Sequence, residues 1–308
     1  MNAAVCTLFE GHYHYGLGAL VNSLCQNGYR GVIWAGYRGV LPPWASPVHE
    51  VDGFQEFRLL EGCAVRFTRM DTPVHFAYCK PAFMLDLFRK NAPEIDTLFY
   101  FDPDIVVKCS WAFYQEWAAC GVAVVQEIVN GNMSSTHPFR TAWARHGDSL
   151  GFPVRNQLDR YFNSGFIGVR RDWSGTLEIW RRINESLADI ADVSVFACLD
   201  CTSPFHGHDQ EGLNMALMFT DSPLSMLGPE GMDFFPGGFA MSHATGTPKP
   251  WRKKMLWSAL SGLRPTPADK AYWTYTQAPI QLFSERYARI KRLDISLGAA
   301  VGRVYRRA

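Results

Sequence analysis

The 308-residue chain has no run of about 18 uninterrupted apolar residues, so no membrane-spanning helix is expected. Met1 to Phe9 lack the basic start and long apolar stretch of a secretory leader. Together these absences imply a cytoplasmic body with reduced thiols. The cysteines include a single close pair, Cys198-x-x-Cys201, and a zinc ribbon needs a second. No G-x-G-x-x-G follows the first apolar segment, which argues against a nicotinamide-dependent oxidoreductase. The segment Gly11-His12-Tyr13-His14-Tyr15-Gly16 lacks Lys and Arg, so it is not the basic phosphate loop of a sugar-phosphate nucleotidyltransferase. The net charge is +1, which gives no electrostatic footprint for nucleic acid. There is no internal repeat and no low-complexity tract.

What the chain does have is apolar mass. Hydrophobic residues make up 47% and aromatics 14%, enough for a large core. Ala3 to Phe9 reads as a buried strand. Leu17, Leu20, Val21 and Leu24 recur at helical spacing before Asn27-Gly28. Val32 to Ala35 and the pair Val65 and Phe67 read as strands, with a proline-marked loop between them. Met84, Leu87 and Phe88 mark a helix that begins near Pro81. This alternation over the first ~110 residues implies a parallel sheet with helices on its faces. Val122 to Val125 and Phe166 to Val169 read as further strands, Leu177 to Ala191 as a long amphipathic helix, and 130–156 as a long loop region.

One apolar strand is interrupted by charge. In Thr97-Leu98-Phe99-Tyr100-Phe101-Asp102-Pro103-Asp104-Ile105-Val106-Val107, two carboxylates sit amid apolar surface, which is costly unless they bind something positive. In extended backbone, residues two apart share a side, so Asp102 and Asp104 can offer oxygens to one hard cation. Asp-Pro-Asp is equally good turn chemistry. Three other segments carry polar groups at element ends. They are Asn163-Ser164-Gly165 at the mouth of a strand, His208-Asp209-Gln210-Glu211 opening a helix, and His243-Ala244-Thr245-Gly246-Thr247-Pro248-Lys249-Pro250-Trp251.

In these segments the chain resembles glycosyltransferase family 8, from about Val5 to Trp251. The last segment matches that family's H-x-x-G-x-x-K-P-W pattern at each fixed position. The resemblance implies a GT-A fold, a Rossmann-like nucleotide-diphospho-sugar transferase with a mixed, mostly parallel α/β sheet flanked by helices. It implies a catalytic domain over 1–255 and a C-terminal helical, basic extension over 256–308. The implied activity is metal-dependent, retaining hexosyl transfer (EC 2.4 type). The donor would be a nucleotide sugar, UDP by default, and the acceptor a saccharide or a glycolipid or lipopolysaccharide-type molecule of cell-surface polysaccharide synthesis.

By the same resemblance, Asp102, Asp104 and His243 hold Mn²⁺ or Mg²⁺, the mixed oxygen and nitrogen set favouring Mn²⁺. Lys249 and Gly246 meet the phosphates. Thr7, Glu10 and Tyr13 hold the nucleoside, although Glu10 stands where the family more often has Asp. Lys80 meets the donor. Asp209, Gln210 and Asn163 lie near the sugar, with an N-cap as the structural alternative for Asp209. A catalytically inactive nucleotide-sugar or carbohydrate-binding protein is the competing reading. Beyond Trp251 the resemblance fades. Phe283, Tyr287, Ile290, Leu297, Val301 and Val304 then form a helical stripe broken by Asp294. Arg286, Arg289, Lys291, Arg292, Arg303, Arg306 and Arg307 make that tail basic, as in a segment that lies on an anionic membrane face. The expected location is therefore cytoplasmic, with peripheral contact at the inner membrane face.

Overall fold

Apolar runs buried on both faces form the central strands, and shorter half-polar runs form the outlying ones. The computed structural model describes residues 2–187, 202–205, 209–235 and 237–304. In chain order the strands are β1 (Ala3–Glu10), β2 (Gly31–Arg38), β3 (His49–Val51), β4 (Phe54–Leu60), β5 (Cys63–Arg69), β6 (Thr97–Phe101), β7 (Ile105–Val107), β8 (Val122–Gln126), β9 (Phe162–Arg170), β10 (Leu224–Leu227) and β11 (Met241–His243). The helices are α1 (His14–Gln26), α2 (Phe76–Asp86), α3 (Trp111–Ala119), α4 (Pro138–Ser149), α5 (Gly175–Leu187), α6 (Asp209–Phe219), α7 (Met255–Leu260), α8 (Pro267–Thr274) and α9 (Glu285–Val304). The result is the expected α/β fold: a mixed sheet flanked by helices, with helices at the C-terminal end.

The chain divides into two compact units. The first comprises Met1–Leu8, Arg69–Phe101 and Ala112–Pro229. Its strands run in the order β10-β8-β9-β6-β1. β1 with β6 and β10 with β8 are parallel, whereas β9 is antiparallel to both β6 and β8. Every residue of β6 and β8 is buried, which is why their sequences read as unbroken apolar runs. Helix α2 packs on β6 and α6 on β9, with α5 against both helices. Gly212 permits the α5–α6 approach, because a Cβ there would strike the Asn184 side chain and meet the Trp180 indole at 3.2 Å.

The second unit comprises Phe9–Thr68, Asp102–Trp111 and Glu230–Ala308. Its strand order is β2-β5-β4-β3, with β7 and β11 forming a separate antiparallel pair. Around Ala19 of α1 and Val106 of β7, a core gathers Trp251, Met255, Tyr272, Trp273 and Ile295. Helix α9 does not break at Asp294. That carboxylate instead accepts the Met255 and Leu256 amides at 3.0 and 2.9 Å, satisfying the start of α7.

Four local expectations change. The early chain is not purely β-α alternation: β3, β4 and β5 form antiparallel hairpins, the first turning at Asp52 and Gly53 with φ of 52° and 80°. The helix expected near Pro81 starts at Phe76 and carries Pro81 inside it, and His75 Nδ1 accepts the Ala77 amide at 3.2 Å at its start. The 130–156 region contains α4, which begins with Pro138 and buries Arg140, Trp143 and Gly147. Asn163-Ser164-Gly165 lies within β9 rather than at its mouth, and all three residues are buried. Ala191, at the end of the expected amphipathic helix, and Arg306 and Arg307 of the tail fall outside the described residues.

Candidate functional site

The apolar run of β6 stops at Phe101, and the chain turns rather than extends. The Ile105 amide donates to the Asp102 carbonyl at 3.0 Å, closing a turn with Asp102 first and Pro103 second, the positions those residues favour. The turn still gathers both carboxylates on one site. Beyond it, β7 pairs with β11 so that His243 lies opposite Ile105, and the Ala244 amide donates to the Asp104 carbonyl at 3.1 Å. This register brings His243 Nε2 to 3.3 Å from Asp104 Oδ1 and 3.9 Å from Asp102 Oδ2. One ligand atom from each residue lies within 4.8 Å of the other two. Asp104 and His243 are buried and Asp102 is partly exposed. His243 Nδ1 is buried with no hydrogen-bond partner among the described residues.

Lys249 completes the cluster. Its Nζ lies 2.6 Å from Asp104 Oδ2 and 2.7 Å from the Ala244 carbonyl, 5.8 Å above the Tyr13 ring. Burial works against the Asp104 charge, but His243 and Lys249 outweigh it and hold the carboxyl well below the usual range. A carboxyl held low in the folded state contributes stability at neutral pH, and that contribution is withdrawn only as pH falls beneath the ordinary carboxylate range.

An aromatic wall stands beside the Lys249 ammonium. Tyr13 stacks on His12 at 4.9 Å and meets Trp251 edge-on at 5.6 Å. Burial, then Arg252 and Lys249, lower the His12 pKa, so a neutral ring accepts the Trp251 indole N–H at Nδ1 over 3.0 Å. Gly16 of α1 is required here, since a Cβ would collide with the Pro103 carbonyl and meet Trp251 at 2.9 Å. Gly246 has open space where a Cβ would stand. Glu10 pairs with Arg38 at 2.9 Å on the partly exposed end of β1.

The first unit holds the remaining residues. Lys80 on α2 sends its ammonium 2.9 Å to Asp209 Oδ2 and 3.0 Å to the Ser164 carbonyl. The Ser164 hydroxyl donates to the same Asp209 oxygen at 2.7 Å. Asp209 is the first residue of α6, and both Lys80 and Asp209 are buried. Gln210 Oε1 accepts the Ser164 amide at 3.3 Å. Asn163 donates to Glu127 Oε2 at 2.6 Å and accepts the Gly165 amide at 2.8 Å. Thr7 is fully buried on β1, with no hydrogen-bond partner for its hydroxyl among the described residues.

The structure thus brings Asp102, Asp104, His243, Lys249 and Tyr13 together in one unit, and Lys80, Asp209, Gln210 and Asn163 in the other. Sequence reasoning missed Glu127, the partner of Asn163, although it follows the apolar strand β8 much as Asp102 follows β6. It also missed His12 and the Ser164 hydroxyl, whose roles depend on partners far away in the chain. Cys198, Cys201 and His208 lie outside the described residues.

No family model and no curated protein matches the chain. Solved structures do. The bifunctional glycosyltransferase WbbM, in its apo form, superposes with a TM-score of 0.50 at 18% identity, covering 89% of this chain and 51% of that one. The glycosyltransferase GlyE of Streptococcus pneumoniae TIGR4 superposes with a TM-score of 0.56 at 14% identity, covering 96% of this chain and 64% of that one. The chain therefore spans between about half and two thirds of these neighbours' lengths. At such identities the likeness shows the fold, which is that of glycosyltransferases of the GT-A type.

Proposed function

We propose that this chain is a metal-dependent, retaining glycosyltransferase of the family 8 type that moves a hexose from a nucleoside diphosphate sugar, UDP by default, to a saccharide or lipid-linked acceptor. The observation that carries the reading is the convergence of Asp102, Asp104 and His243 beside Lys249. Two carboxylates and an imidazole suit a divalent ion such as Mn²⁺, with Mg²⁺ the harder alternative. When bound, the ion supplies positive charge that neutralises the departing diphosphate. Lys249 adds a second positive charge for the phosphates. Gly246 leaves room for backbone to approach them, Tyr13 offers a face for the base, and Glu10 lines the nucleoside end.

Asp209 and Gln210 bind the donor sugar, with Lys80 fixing the Asp209 carboxylate and Asn163 bonding sugar or acceptor. Glutamine is a poor nucleophile, so a covalent glycosyl intermediate on Gln210 is disfavoured. Retention then comes from front-face substitution. The anomeric C–O bond to phosphate breaks, the acceptor oxygen bonds to the same face, and its proton passes to the leaving phosphate. Residues 1–255 carry this chemistry and 256–308 form the helical extension.

A thermal-shift screen of nucleotide sugars with and without Mn²⁺ tests the reading. The expected result is stabilisation by UDP-sugars that requires the metal, worth about 2.7 kcal/mol at a hundredfold excess over Kd. No shift with any nucleotide contradicts the reading. A metal-dependent shift with no transfer across a broad acceptor set indicates the inactive binding protein instead.

A further inference from the structure

Helix α9 docks on its unit by an unusual face. Its buried positions are Ala288, Lys291, Ile295 and Gly298, spaced three and four apart along one side. Gly298 allows the close approach, because a Cβ there would meet the Met255 carbonyl at 2.9 Å. The Lys291 stem lies in this face, and its ammonium donates to the Lys253 carbonyl at 2.8 Å. Of the apolar stripe, Phe283 turns inward and stacks on Tyr15 at 5.0 Å. Ile290, Leu297 and Val304 do the opposite and are 51, 54 and 90% exposed, and Leu293, outside the expected stripe, joins them at 63%. Their spacing puts them on one line, across the helix from the docked side. Helix α7 packs along α9 and adds Trp257 and Leu260, and Leu263 follows just beyond its end, all exposed. An amphipathic helix in a globular domain normally turns its large apolar side chains inward.

The charge around this face has one dominant sign. Arg286, Arg289, Arg292 and Arg303 of α9 are exposed, as are Lys254 and Arg264. Arg264 lies against Gly302 of α9. The acidic residues of α9 are both engaged: Glu285 lies 3.4 Å from Arg289, and Asp294 accepts the α7 amides. No described helix is long and apolar enough to cross a membrane.

We propose that the α7–α9 face docks on an anionic lipid surface. Helix α9 lies in the plane of the interface, with Ile290, Leu293, Leu297 and Val304 at the acyl boundary, its arginines against lipid phosphates and Trp257 at headgroup depth. The three-and-four spacing would also suit pairing with a second copy of the chain. Self-pairing, however, sets this arginine-rich rim against itself, whereas an anionic headgroup layer neutralises it. The inference goes beyond the transfer reaction and does not depend on it.

Sedimentation of the full chain with phosphatidylcholine vesicles, with and without phosphatidylglycerol, tests the proposal. The chain should pellet with the anionic vesicles, stay largely in solution with the zwitterionic ones, and be released by high salt. Arg289→Ser with Arg292→Ser should weaken the partition by roughly 25-fold, at about fivefold per arginine. Leu293→Ser with Leu297→Ser should weaken it comparably while circular dichroism and the melting temperature stay unchanged. Absent pelleting, or equal pelleting of wild type and both variants, overturns the proposal. So does a dimer in sedimentation velocity that the leucine variant loses without any lipid dependence, which assigns the face to a second copy.

Discussion

Asp104→Asn should abolish Mn²⁺-dependent donor hydrolysis and sugar transfer, with kcat/KM falling by at least about 10²–10³-fold. Asparagine keeps the volume of the side chain but removes the negative charge that His243 and Lys249 both face, at 3.3 and 2.6 Å. A neutral amide is a poor partner for a divalent ion, and it also leaves the Lys249 ammonium without its nearest carboxylate. Two effects must therefore be separated. Calorimetry of Mn²⁺ binding to the folded variant reads the loss of the ligand, and circular dichroism reads the integrity of the fold. Wild-type activity and metal affinity in a folded Asp104→Asn protein would remove the metal role from this cluster. His243→Ala should give the same phenotype in weaker form, since both carboxylates remain.

The second large effect concerns the ion pair in the other unit. Lys80→Met should destabilise the protein by about 3–5 kcal/mol, read as a lowered urea midpoint for that unit. The substitution fills similar space but withdraws the ammonium from a carboxylate that is only 1% exposed. Asp209→Asn should destabilise as well, because the Lys80 ammonium, 3% exposed, loses its counter-charge even though the amide oxygen can still accept from it and from the Ser164 hydroxyl. The double variant Lys80→Met with Asp209→Leu should recover much of the loss, since no buried charge is then left to compensate. With Asp209→Leu alone as the remaining corner, a double-mutant cycle yields the coupling directly. If Lys80→Met and the double variant are equally destabilised, the pair is not the source of the effect. In all of these variants transfer should fall even where stability recovers, because Asp209 is proposed to hold the sugar.

How much of this was legible in the sequence varies by element. Strands β1, β2, β6 and β8 could be read directly, because burial on both faces demands continuous apolar runs. Strands β3 and β4 could not: His49-Glu50-Val51 has a single apolar residue, and Glu56 in β4 is buried only because Arg58 and Arg66 pair with it at 3.0 and 2.8 Å. Their one local signal is Asp52-Gly53, the two-residue sequence that suits a hairpin turn. Helix α4 was hidden by composition, since its start is His-Pro and it buries few side chains. In β9, polar residues sit in a buried strand because Glu127 and Asp209 bond them from elsewhere in the chain, which no local pattern reveals.

The candidate site was legible as a set of residues rather than as a geometry. Asp102 and Asp104 stand out as two carboxylates in an apolar strand, and the resemblance to family 8 implies His243 and Lys249 beside them, but their meeting depends on the β7–β11 register and on a turn where extended backbone was expected. The stripe on α9 was equally plain, while its outward direction was not. That direction is set by Ala288 and Gly298, whose small side chains let the opposite face dock closely.

The central claim is that Asp102, Asp104 and His243 grip one cation. Anomalous diffraction from crystals grown with Mn²⁺ and a nucleoside diphosphate tests it most directly. The account predicts a peak within bonding distance, about 2.0–2.3 Å, of oxygens from both aspartates and of an imidazole nitrogen of His243. A peak ligated by other residues, or none there while transfer still requires Mn²⁺, would contradict it.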